Sequence, residues 1–96
     1  MDFDFFHRKL NASFEIHFGP GYDHKAILTE VNKLSDVPGQ KRSPFSLIFL
    51  TDLKDQYFGQ GIFSVKSADA EAMSIFLVPI GKDHSTGQIQ YQAIFN

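Results

Sequence analysis

Ninety-six residues allow one core and a single domain, residues 1–96, with no room for a separate cofactor module. With 43% hydrophobic and 21% charged residues the chain has the balance of an ordinary globular protein, which argues against disorder and against insertion into a membrane. A formal charge of -2, with Arg8-Lys9 and Lys41-Arg42 the only adjacent Lys/Arg pairs, lacks the basic stripe that a nucleic-acid partner requires.

The chain opens on MDFDFFHRKLNA. Phe3, Phe6 and Leu10 fall at helical spacing, with Asp2 placed to cap and Asp4 in the first turn, so one or two helical turns are expected from Asp2 to Leu10. Its acids precede the apolar residues and its bases follow them, the reverse of a secretory signal, which implies synthesis in the cytoplasm without a signal peptide. SFEIHF alternates Phe14, Ile16 and Phe18 against polar residues and reads as a strand with one wet face. GPGYD, Gly19 to Asp23, is a turn by composition. Lys25 to Leu34 suits helix or strand by pattern; its length, its flanking turns and β-branched Ile27, Thr29 and Val31 favour a strand. Ser35 to Pro44, polar and with two prolines, is expected to be a surface loop exposing Lys41 and Arg42.

FSLIFLT is nearly continuous in apolar residues and suits a strand buried on both faces or twisted through the centre of a barrel. DLKDQYFGQG is a loop, GIFSVKS a strand, SADAEA a polar reversal, and MSIFLVPI a strand expected to stop near Pro79, since proline cannot donate to a ladder. GKDHSTG has the glycines and polar middle of a hairpin loop. In the last segment, GQIQYQAIFN, Ile89, Tyr91, Ala93 and Phe95 alternate with Gln88, Gln90 and Gln92. Such a strand is either zipped into a sheet or left as an edge, and pairing on both sides is expected. Six short strands and one helical turn predict an all-β domain, a small six-stranded antiparallel barrel or sandwich with a short N-terminal helix. Eleven phenylalanines, with no tryptophan or cysteine, make large apolar rings the substance of the core, each burying roughly 150 Å² or more, and rule out disulfides and thiolate metal sites. The expected core is Phe14, Ile16, Phe49, Phe63, Tyr91 and Phe95 with Phe76 and Leu77; the last two have opposite parity, so only one of them faces the main core.

PFSLIF, FGQGIFSV, MSIFLVPIG and YQAIFN resemble a family of bacterial domains of about this length with no assigned function. The match covers Pro44 to Asn96, and its signature lies at Phe76 to Pro79 and at Tyr91 to Asn96. The resemblance implies a place beside phage-tail-collar-like proteins, hence in a virion-like or surface assembly. It implies no catalytic residues.

The polar residues point away from catalysis. His17, His24 and His84 lack the spacing of a metal site; His17 falls on a wet strand face and the others in loops. No serine or threonine lies in a nucleophile elbow, and Asp52 and Asp55 flank Lys54 in a polar loop. FGQG, Phe58 to Gly61, lacks the strand and helix that a phosphate cradle needs, and Phe58 is placed to anchor the loop. The expected function is therefore non-enzymatic, with no cofactor or metal: a structural or adaptor domain contacting other protein subunits, its own copies included. The candidate contact residues are Gln88, Gln90, Gln92, Tyr57, Phe58, Lys41 and Arg42. The alternative is a binding module for a small apolar or carbohydrate ligand held by Tyr22, Tyr57 and Phe58, with a hydrolase using scattered acids ranked last. A deep pocket with convergent polar groups would favour the later readings, and a filled core with an apolar surface patch the first.

Overall fold

A computed structural model describes residues 2–34, 39 and 43–96. The elements are α1 (Phe3–His7), β1 (Ser13–Gly19), β2 (Tyr22–Lys33), β3 (Phe45–Thr51), β4 (Gly61–Ser67), β5 (Met73–Lys82) and β6 (Ile89–Phe95). All neighbouring strands are antiparallel, and they close into a barrel in the order β1-β2-β3-β6-β5-β4. The expected all-β class is thus realised as a barrel.

Asp2 caps α1 as expected: it is extended, and its carboxylate accepts from the Phe5 N–H at 3.0 Å. The helix is shorter than its spacing predicts. It gives way to a turn at Asn11, whose φ of 69° is tolerated by asparagine, and Leu10 is left exposed. The Asn11 N–H then donates to Leu28 O and the Leu28 N–H to Ala12 O, which docks this turn on β2. Phe6 is fully buried, with its ring 6.0 Å from Phe45 and 5.5 Å from Phe95, so the helix closes the end of the barrel where β3 begins and β6 ends.

Local chemistry sets the hairpins. Gly19 pairs with Tyr22, so Pro20 and Gly21 alone make the first reversal; proline followed by a glycine at φ 79° suits a type II turn. The turn is tighter than Gly19 to Asp23, and His24 consequently lies in β2 rather than in a loop. In the last hairpin the Asp83 carboxylate accepts from the Thr86 N–H and hydroxyl and from the Ser85 N–H. These bonds, the Thr86 N–H foremost, hold the Asp83 carboxyl below the usual range.

β2 contains a bulge at Thr29, where the pairing with β3 skips from Leu28 to Glu30, and the Thr29 hydroxyl donates to Ile48 O. The bulge changes the inward parity: Ala26 and Leu28 face the core before it, and Val31, opposite Leu47, packs on the core after it. Ile27 is therefore exposed.

The interior is filled by fully buried Phe14, Ile16, Leu28, Leu47, Phe49 and Tyr91, among others. Phe63 and Phe95 are only partly buried against this core. Phe76 departs from expectation. It is 51% exposed, because Ile75 and Leu77 take the inward positions of β5, and Phe76 pairs with outward Ile62 of β4. The other correction to β5 is that it does not stop near Pro79 but runs on to Lys82. Beyond Leu77 it pairs with β6 alone, so a residue without an N–H has only one neighbouring strand to satisfy.

These two positions separate core from surface. Phe49→Ala should cost about 3–5 kcal/mol, whereas Phe76→Ala should change stability by about 1 kcal/mol or less. Urea unfolding followed by circular dichroism measures both, and equal losses would contradict the inward and outward parities of β3 and β5.

Candidate functional site

Around the ring, β3 and β4 lie on opposite sides, so the segment joining them, residues 52–60, must cross the end of the barrel away from α1. Leu53 turns inward and is buried, and its carbonyl accepts from the Ile89 N–H at 2.8 Å. The buried Thr51 hydroxyl donates to Ile89 O at 2.8 Å and accepts from the Leu53 N–H at 3.2 Å. Phe58 stacks on Phe18 at 4.7 Å. Its backbone is gripped twice by the Tyr91 hydroxyl, which donates to Phe58 O and accepts from the Phe58 N–H, each at 2.7 Å. Burial pushes the Tyr91 phenol above its ordinary pKa, the bonding to Phe58 opposing the shift only in part.

The candidate residues separate into two places. Tyr57, next to the clamped Phe58, is 65% exposed on the crossing segment. It borders an open groove of about 380 Å³ shared with Pro79, Gly81, Lys82 and Ile89. Phe58 is partly buried and acts as an anchor. The second place is the barrel wall, where Gln90 and Gln92 are partly buried and flanked on both sides, by Leu50 and Ile48 of β3 and by Gly81 and Val78 of β5. This amide row therefore lies on a strand paired on both sides. Gln88 is committed locally, its amide donating to Thr51 O at 2.8 Å. Lys41 and Arg42 lie outside the described residues.

Two histidine–aspartate contacts lie towards the crossed end. His17 and Asp23 are opposite each other on β1 and β2 and their side chains touch; His24 Nδ1 lies 2.8 Å from Asp52 Oδ1. Among the described residues no three histidine or carboxylate groups converge as a metal site would require.

Sequence reasoning missed the outer face of β4, β5 and β6. Ile62, Phe76 and Ile94 are 71%, 51% and 55% exposed. Ile62 and Phe76 are directly paired, while Ile94 lies on β6 two residues beyond Gln92, where the pairing with β5 ends, and opposite Ser46 of β3. Ile80 is also exposed, and Val78 is partly so. The available signal was MSIFLVPI itself: it is apolar on both parities, so one set had to leave the core.

The Tyr91 clamp generates a pH dependence. The folded protein keeps the phenol protonated to higher pH than the unfolded chain, so the associated stability is intact below about pH 10 and is lost as pH rises from there through the folded pKa. Tyr91→Phe leaves the Phe58 N–H and carbonyl without their partner and should cost about 1–3 kcal/mol at neutral pH. Thermal melts from pH 8 to pH 11 should fall less steeply for the variant than for the wild type; parallel curves would contradict the clamp.

Comparison with curated proteins and with solved structures yields no match. The family model described as "Domain of unknown function (DUF6916)" matches residues 1–95, and the chain belongs to that family.

Proposed function

We propose that this protein is a non-enzymatic structural or adaptor domain that contacts other protein subunits through the outer face of β4, β5 and β6. The observation that carries the reading is the directly paired, outward Ile62 and Phe76, each more than half exposed, with Ile94 exposed to a similar degree on β6. Scattered apolar side chains are ordinary on a protein surface, but a contiguous set of large ones marks a contact site. The amides of Gln90 and Gln92 beside this cluster supply hydrogen-bonding groups at the edge of an apolar centre, the usual anatomy of an interface. The resemblance to domains beside phage-tail-collar-like proteins supports a virion-like or surface assembly as the setting, reached after synthesis in the cytoplasm.

A second reading, a binding module for a small apolar or carbohydrate ligand, draws on the groove beside Tyr57, where an exposed ring could lie against the apolar face of a sugar. Of the residues lining that groove, Lys82 alone carries a charge, and little polar chemistry converges there to orient a ligand. The protein-contact reading therefore ranks first.

The test is affinity capture of assembled subunits from the native cell with the wild type and with the double variant Ile62→Lys/Phe76→Lys. The variant should melt within a few degrees of the wild type, since both side chains are largely exposed, and should lose the captured subunits, because two ammonium groups would have to be desolvated at the contact. An unchanged set of captured subunits would remove this face from the function.

A further inference from the structure

We draw no further inference here: the strongest candidate, the outward face of β4, β5 and β6 around the paired Ile62 and Phe76, belongs to the contact surface already described, and nothing in the structure shows what covers it.

Discussion

The hydroxyl of Tyr91 holds together what the ring topology pulls apart. Because β3 and β4 sit on opposite sides of the barrel, the segment between them has to pass over an end that would otherwise expose the apolar core. A crossing segment carries backbone donors and acceptors into apolar surroundings, and each must find a partner. Tyr91 rises from β6 through the buried core and meets both polar groups of Phe58 with one oxygen. Thr51 and the Leu53 backbone perform the same service nearer β3, joining the segment to the start of β6. The exposure of Tyr57 and the stack of Phe58 on Phe18 follow from this attachment. At the other end Phe6 closes the barrel with a side chain alone, and a capped helix of five residues suffices to deliver it.

A six-stranded barrel of this size has an interior that its own side chains occupy. Function then has to be sought on the outside, where alternate residues of every strand point. That outside is uneven. One side alternates acids and bases on neighbouring strands and is well hydrated; the other sets isoleucine and phenylalanine among neutral amides and hydroxyls. The contrast between the two sides, more than any single side chain, supports a contact function.

Class, strand count and helix cap were legible because each rests on local chemistry: alternation of period two, glycine and proline at reversals, an aspartate ahead of a short apolar stretch. The same locality limited the reading of faces. In SFEIHF and QIQYQAIF polar residues label the wet side, and Phe14, Ile16 and Tyr91, expected in the interior, are fully buried there. In MSIFLVPI neither parity is polar, so nothing local distinguishes Leu77 from Phe76. The bulge at Thr29 likewise exchanges the faces of β2 at a point that only its pairing with β3 reveals.

The sequence by itself determined that the chain is all-β and that its core is built of phenylalanine and aliphatic residues, since propensity and alternation act between near neighbours; it marked the glycine- and proline-bearing reversals without fixing their exact bounds. Tertiary structure alone decided three things: that β6 is inserted between β3 and β5, that residues 52–60 cross the barrel and are held by a tyrosine more than thirty residues away, and that Ile62 and Phe76 come to lie side by side on the outer wall. Each depends on which strands become neighbours around the ring. Closure of the barrel sets that order, through contacts between residues far apart in the chain.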